Sequence, residues 1–596
     1  MPSLLTRLFL KTSELIDRRI GWDNLPPIIG ISVLVGIRDA LREHNLYDGY
    51  QGRPPAAPAM TPTDYLTVRT ADGSYNDLDA PSMGMANTRF GRNVPLHEGR
   101  AETPPRLMDP NPRLISTRLL QRDTFQPAPS LNVLAAAWLQ FETRDWFSHG
   151  SDTNRMIEIP RPPDDDWPED TIKVPATSAD PTAEPGATSF LNTETHWWDA
   201  SQIYGSNAQF QQAIRTHRDG RACIDGKVCV DADGFIDIDP ALLGASGGAD
   251  GWWLGMELMG TIFMREHNAI CDRLKTAYPH WSNDQLFNKA RLINAALIAK
   301  IHTIEWTPAI LGHPTLQIGM RANWFGLAGE RVKELFGRLG SSDVVSGIPG
   351  SQSDHHTAPY AITEDFVTVY RMHPLVPDDY EFLSLTADAE PHPLTFGDLH
   401  GGANSRGVLK SVGAAECLYS LGVAHPGAVT LHNSPNFMRH FQRTDENMLD
   451  LIATDILRSR ERGVPRYNDF RRALRLKPAT SFDEISNGDR DTAIAMAEIY
   501  GGDIEKVDAM VGMFGEKRPD GFGFSDTAFR IFVLMATRRL KSDRFYTVDF
   551  TPRVYTPEGM DWIARNDMTS VLLRHYPELE PALRGQCNAF APWPRI

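Results

Sequence analysis

Helical periodicity recurs from residue 131 to residue 541, and almost nothing in the chain alternates with the two-residue period of a strand. Residues 131–149 carry one apolar helical pattern, 250–277 and 284–306 carry longer ones, and 326–339 another. Further patterns cover 411–421, 435–460, 467–475, 490–499 and 524–541. Strand signals reduce to short stretches around Tyr204 and Val228. The expected class is therefore all-α, with irregular connections between the helices.

A chain of 596 residues would ordinarily hold about four domains. No internal repeat is visible, and only two stretches read as linkers. One is the Pro-rich 52–64; the other, 160–188, is rich in Pro, Asp, Thr and Ala and is expected to be an exposed loop. The division expected is an amphipathic helical segment at 1–51, an extended arm at 52–129 and one large domain at 130–596.

Charge narrows the partners. With 60 basic and 76 acidic residues the formal net charge is −16, which argues against a nucleic-acid partner. Five cysteines, Cys223, Cys229, Cys271, Cys417 and Cys587, are too few and too scattered for a disulfide framework. Cys223 and Cys229 could bridge, and free buried thiols are as well supported; an intracellular, reducing setting is expected. In residues 1–20, Leu4, Leu5, Leu8, Phe9, Leu15 and Ile16 recur at helical spacing among Arg7, Lys11, Arg18 and Arg19. No small-residue cleavage site follows, so no secretory signal is expected. The apolar run 28–37 is too short to span a bilayer. These two segments can lie in a membrane interface or pack on the main domain.

Residue types that carry chemistry concentrate at 364–378, where Tyr370 precedes His373 by three. On a helix that spacing puts both on one face. Pro374 biases His373 out of a regular helix. An imidazole at a helix end can reach a metal while its second nitrogen finds a partner. The other reading of these two residues alone is a buried, hydrogen-bonded Tyr–His pair. A second cluster is Thr195, Trp197, Asp199 and Ser201, alternate residues that share a face if extended. Two hydroxyls, a carboxylate and a backbone carbonyl suit Ca²⁺, and an ordinary Asp/Ser turn would use the same residues.

The run Tyr-Arg-Met-His-Pro-Leu-Val-Pro-Asp at 370–378 resembles the proximal haem segment of the cyclooxygenase-like animal haem peroxidases, and in particular that of the fatty-acid α-dioxygenases. The resemblance runs from about residue 20 to Trp593. It implies His373 as the proximal iron ligand, Tyr370 as the residue oxidised to a radical, and Asn433 as an acceptor for the second His373 nitrogen. The Gly251–Glu257 stretch lacks the pattern of covalently linked relatives, so non-covalent haem b is expected. On the other side of the haem, Gln140 and Asp145 match the family, and Arg144 stands where its distal His belongs. An arginine stays protonated. It cannot deprotonate peroxide, although it can donate hydrogen bonds to a bound oxygen species. His149, five residues on, is turned about 500° around the helix and points elsewhere.

The same resemblance implies a calcium site of Asp145, Thr195, the Trp197 carbonyl, Asp199 and Ser201. It implies a clamp for a fatty-acid carboxylate at His302, Thr307 and Arg539, a combination of imidazole, hydroxyl and guanidinium suited to that group. Arg265–Asn268 and 458–472 are expected to be scaffold, the latter with Glu461-Arg462 where Asp-His is usual. The activity implied is that of a haem-dependent dioxygenase: after activation by a hydroperoxide, O₂ is added at the α-carbon of a fatty acid through a tyrosyl radical, giving a 2-hydroperoxy acid. Two alternatives follow from Arg144. One is a divergent peroxidase-fold oxygenase acting on another lipid or carboxylic acid; the other is a haem-binding protein with little turnover. A lipid substrate also favours peripheral membrane contact by residues 1–51. The sequence sets no oligomeric state.

Overall fold

The computed structural model describes residues 4–184, 186–237, 250–386, 390–443 and 447–596. The chain is mainly helical, as expected. The helices that frame the site are α1 (Leu4–Ile20), α2 (Pro27–His44), α3 (Val133–Trp146), α4 (Leu254–Ala277), α5 (Asn283–Ile301), α6 (Pro314–Phe325), α7 (Glu330–Phe336), α8 (Glu364–Val369), α9 (Leu451–Glu461) and α10 (Asp526–Ser542). α3 is buried along most of its length, apolar from Val133 to Leu139 and then carrying the buried acids Glu142 and Asp145. α5 begins with a capping box between Ser282 and Gln285, and Ser525 caps α10 by accepting the Ala528 N–H.

The strands among the described residues form two-stranded pairs. The longest pair, β1 (Ser151–Pro160) with β2 (Thr171–Thr177), is antiparallel and falls where an exposed loop was expected. Its reason is local: Ile172, Val174 and Ala176 alternate inward, and Ile159, Ile172 and Val174 bury with Trp167 against Leu107 and Leu457 in a small second core. Other expectations also shift. Tyr204 ends a short helix, Ser201–Tyr204, and Val228 lies in a loop. The 435–460 pattern lies partly outside the described residues; within them α9 starts only at Leu451, where Asp450 caps it. The 411–421 pattern breaks at Gly413 (φ 98°). Only Glu330–Phe336 of 326–339 is helical, bounded by Gly329 and Gly337 at positive φ.

Neither the N-terminal segment nor the arm is an appendage. Trp22 donates to Asp526 on α10 at 3.1 Å and packs on Phe522 and Phe529. Phe90, Val94, Ile115 and Leu119, from the supposed arm, are buried in the main core. Among the described residues no helix is long and apolar enough to cross a membrane. Cys223 and Cys229 are joined in a disulfide, which removes the argument for a reducing compartment that rested on free thiols.

The two runs expected to be scaffold lie in buried polar networks. Glu266 receives Trp562, Arg574 and His575 from the C-terminal helices. Arg460 binds Asp508 through two nitrogens and the Leu107 and Pro110 carbonyls through a third.

Candidate active site

α8 stops at Tyr370, and the chain then makes a short turn that starts at His373. The continuous helix that the i, i+3 spacing assumed is therefore absent. Instead Tyr370 sits at the junction of two cavities. The first, of about 250 Å³, is lined by Ala136, Leu139, Gln140 and Thr143, spaced along one face of α3, and by Tyr370, Met372 and His373. Phe396, Phe437 and Phe441 complete a largely apolar wall. The second is narrow and is lined by Tyr370, His302, Thr307, Arg539 and Trp198. It shares Met320, Asn323 and Ala536 with an apolar groove between α2, α6 and α10.

His373 Nδ1 lies 2.8 Å from the Asp455 carboxylate of α9, and the same carboxylate takes the Arg371 guanidinium. Burial, with the Arg371 charge adding, lowers the imidazole pKa to about 4, so the ring is neutral at ordinary pH. Its side chain keeps 36% of its surface accessible although the surrounding segment is buried; it faces the cavity it lines. Asn433 is not the partner expected for this ring. Its carbonyl oxygen accepts from Arg122 and the Gln126 N–H, and its amide donates to the Gln126 and Ala428 carbonyls. Asp455 stands where Asn433 was expected. These residues fit haem: an apolar cavity, and a neutral imidazole with a carboxylate close to Nδ1, not aligned as a hydrogen bond, and Nε2 left for iron.

On α3, Gln140 is fixed by two bonds, from its Nε2 to the Gly251 carbonyl (2.8 Å) and to its Oε1 from Trp253 Nε1 (2.6 Å). Arg144 does not line the His373 cavity among the described residues. Its guanidinium lies 5.2 Å from the Trp252 ring and borders a separate small cavity with Phe141, Gln202 and Met256. Burial lowers its pKa to about 10, with Glu194 opposing, so it stays charged at neutral pH. His149 is also elsewhere, bonded to Glu364 at 2.8 Å and stacked on Phe90.

The second cavity gathers the three clamp residues. α5 ends in a π-turn at His302–Trp306, which widens the helix by one residue per turn. Five residues then complete a turn, and His302 and Thr307, on different faces of an ordinary α-helix, line one cavity. Trp138 Nε1 donates to His302 Nδ1 at 3.1 Å, and Thr307 Oγ1 donates to the His302 carbonyl at 2.8 Å. Burial and the Arg539 charge hold His302 well below its ordinary pKa, hence neutral. Arg539 is sandwiched between Trp146 (4.2 Å) and Trp198 (4.3 Å). Its Nε and Nη2 are buried without a hydrogen-bond partner among the described residues. A buried cation with unused donors beside a cavity is a receptor for an anion. Tyr370 meets Trp146 edge-on at 5.0 Å, and burial raises its phenol pKa far above the usual value.

Beside this clamp lies the oxygen cluster. Asp145 Oδ1 accepts from Ser201 N (2.5 Å) and Oγ (2.9 Å); Asp199 accepts from Thr195 Oγ1 (2.9 Å) and Arg291 (3.0 Å). Trp197 is buried in the same segment, its indole bonded to the Gly73 carbonyl. Burial, then the nearby Asp199 charge, raises the Asp145 pKa to about 8. Its Oδ2 is buried and unpartnered. Two crowded carboxylates with an orphaned oxygen and adjacent hydroxyls fit a hard divalent cation.

Asp455, Trp138, Trp146 and Trp198 were missed by the sequence reading. Trp146 and Trp198 adjoin motif residues and could have been flagged; Asp455 carries no local signal.

Residues 68–590 match the model of the animal haem peroxidase family. Over 99% of its length this chain is 36% identical to alpha-dioxygenase 1 of Capsicum annuum, covering 92% of that protein. The fold is similar to the crystal structure of Oryza sativa fatty acid alpha-dioxygenase, with a TM-score of 0.90 and 34% identity, covering 100% of this chain and 98% of the other. A tyrosine-to-phenylalanine variant of the rice enzyme, solved with palmitic acid, is equally similar, at a TM-score of 0.90.

Proposed function

This chain belongs to the animal haem peroxidase family, and we propose that within it the chain is a haem-dependent fatty-acid α-dioxygenase. The observation that carries this reading is Arg539, a buried guanidinium with unused donors, opening with His302 and Thr307 on the cavity that Tyr370 lines. The groove that shares this cavity's lining is largely apolar, as an acyl chain requires, with Arg38, Arg42 and Asp343 as its charged part.

Arg539 supplies the charge that binds the carboxylate and the neutral His302 supplies a hydrogen-bond donor, while the Thr307 hydroxyl, which donates to the His302 carbonyl, holds the π-turn beside them. A carboxylate held there puts its α-carbon nearest Tyr370. Haem, when bound, supplies the one-electron oxidation of Tyr370. The Tyr370 oxygen then takes an α-hydrogen, O₂ adds to the carbon radical, and the peroxyl group recovers a hydrogen from Tyr370. The product is a 2-hydroperoxy acid. His373 would hold the iron, with the Asp455 carboxylate beside its Nδ1. Glu257 is engaged by Arg406 and Trp252, which suits haem held without an ester bond. Asp145, Thr195, Trp197, Asp199 and Ser201 form the calcium site. Gln140, pinned toward the haem cavity, is the remaining polar group of α3 there, with Thr143.

Membrane contact belongs to the same reading. Leu4, Leu5, Leu8 and Phe9 of α1 and Ile28 and Ile29 of α2 are exposed, and α2 also walls the groove through Ile31, Leu34 and Val35. An interfacial α1–α2 pair would deliver lipid directly to the groove.

The test is oxygen uptake by haem-loaded protein given palmitate and a trace of peroxide. Uptake yielding 2-hydroperoxypalmitate, abolished in Tyr370→Phe with the haem spectrum retained, is expected. Normal turnover in that variant would rule the mechanism out.

A further inference from the structure

The loop at residues 214–237 brings together two sulfurs, an imidazole and a carboxylate that neither the haem cavity nor the clamp uses. Cys223 and Cys229 are disulfide-bonded, with their Cα atoms 5.9 Å apart. A ring nitrogen of His217 and both sulfurs lie within 4.8 Å of one another. His217 Nδ1 donates to the Asp237 carboxylate at 2.9 Å, and its Nε2 lies 3.2 Å from Cys223 Sγ. In the neutral ring, Nε2 then presents a lone pair. A disulfide sulfur carries no hydrogen to meet that lone pair, whereas a metal ion held by the sulfurs would meet it. A carboxylate on the far nitrogen is also the arrangement that orients a metal-bound histidine.

Backbone bonds hold this group together independently of the sulfur–sulfur bond. The Cys223 N–H donates to the Arg215 carbonyl (2.8 Å), the Cys229 N–H to the Ile214 carbonyl (2.7 Å) and the His217 N–H to the Arg221 carbonyl (2.8 Å). Asn268 of α4 brackets Val228, accepting from its N–H and donating to its carbonyl. Cys229 is buried, and Cys223 is part-exposed, within reach of a small thiol. The Cα separation suits a disulfide, and it equally suits two thiolates each about 2.3 Å from one metal ion.

We propose that this loop is a redox-gated zinc site: once the Cys223–Cys229 bond is reduced, both thiolates and His217 Nε2 bind Zn²⁺, with water as the fourth ligand. Two molecules of a small thiol such as glutathione supply the electrons. The S–S bond breaks, each sulfur gains one electron and one proton, and the small thiols leave joined as their own disulfide. Zinc then displaces both protons. In the reduced chain the ion ties the loop as the disulfide ties it in the oxidised one, so the loop stays closed in either setting. Nothing in this site depends on the identity of the substrate.

The test uses full-length protein loaded with haem and calcium, either oxidised or treated with glutathione and desalted without oxygen. Zinc is titrated by calorimetry and counted by elemental analysis, and alkylation of each cysteine by iodoacetamide is read from peptide masses. Reduced protein is expected to hold one Zn²⁺ per chain, and oxidised protein none. Zinc is expected to slow alkylation of Cys223 and Cys229 roughly tenfold or more, and to leave the exposed Cys587 unchanged. His217→Gln keeps the disulfide, so its folding can be checked in the oxidised form. Its zinc affinity should fall roughly 100-fold or more, and that of Asp237→Asn about 10- to 100-fold. Equal zinc in the oxidised and reduced states, or undiminished affinity in His217→Gln, would overturn the proposal. A Cys223–Cys229 bond that glutathione cannot open in the folded chain, or reduced thiols that take no zinc, would overturn it as well.

Discussion

Trp138 donates its indole N–H to His302 Nδ1 at 3.1 Å, and this bond fixes what His302 can offer a ligand. An indole nitrogen only donates, so Nδ1 must accept and the neutral ring carries its proton on Nε2. His302 is neutral because burial and the Arg539 charge both disfavour its cation. It therefore supplies a hydrogen bond but no charge. Trp138→Phe frees the ring to take either tautomer. The loss of one well-oriented hydrogen bond, about 0.5–1.5 kcal/mol, should raise the KM for a fatty acid roughly 2- to 10-fold. The kcat and the haem spectrum should change little, as steady-state oxygen uptake would show.

Asp455 should matter to haem rather than to substrate. Its carboxylate is the group at His373 Nδ1 and also the partner of Arg371. Asp455→Asn removes the charge beside the ring and is expected to weaken haem binding about 10- to 100-fold. Titration of the apoprotein with haem, followed at the Soret band, measures this directly. Unchanged affinity with intact helical circular dichroism would show that His373 does not need Asp455.

The sequence made some of this legible and hid the rest for physical reasons. The helical class and the positions of Tyr370, His302, Thr307 and Arg539 could be read because local motifs carry them. That His302 and Thr307 line one cavity could not, since α-helical spacing denies it and only a π-turn restores it. The β1–β2 hairpin was written in the alternation of Ile172, Val174 and Ala176, but Pro- and Asp-rich composition outweighed it. Asp455 lies far along the chain from His373, and no pattern near either residue joins them. The Arg539 sandwich depends on two tryptophans that, from sequence, belong equally to a core.

Stability should fall on mild acidification, and His267 is one cause. It accepts from the Tyr204 hydroxyl at Nδ1 (2.8 Å) and donates from Nε2 to the Gly226 carbonyl (2.9 Å). Burial, reinforced by the Arg215 charge, lowers its pKa to about 4. An unfolded histidine titrates near about 6.5. Between these values the unfolded chain binds the extra proton, so stability declines as pH falls from about 6.5 towards 4, by about 3 kcal/mol for this group. Thermal unfolding measured from pH 7 to 4.5 should show a shallower loss in His267→Gln than in the parent protein. An unchanged slope would mean that His267 is not held neutral in the fold.

Position 144 is expected to bear on how the enzyme is switched on. Proton removal from hydrogen peroxide needs a base beside the iron, and a positioned base contributes about 10²–10⁴-fold. Here α3 presents Gln140 and Thr143 to the haem cavity, and neither is a base at neutral pH. Arg144 is charged and lies over Trp252. Activation must then draw on the small fraction of peroxide already ionised in solution, so its rate should rise with pH across the neutral range. Arg144 borders the neighbouring cavity under Trp252, and in Arg144→His the shorter imidazole, placed one helical turn after Gln140 as the resemblance has it, is expected to turn to the haem side. It should raise the activation rate roughly 100-fold and flatten that pH dependence. The lag before oxygen uptake and the stopped-flow build-up of the Tyr370 radical both report it. The rate of oxygenation after the lag should stay close to that of the parent, because Arg144 is not part of the clamp. A variant that binds haem normally yet keeps the parent lag would show that proton acceptance is not what limits activation.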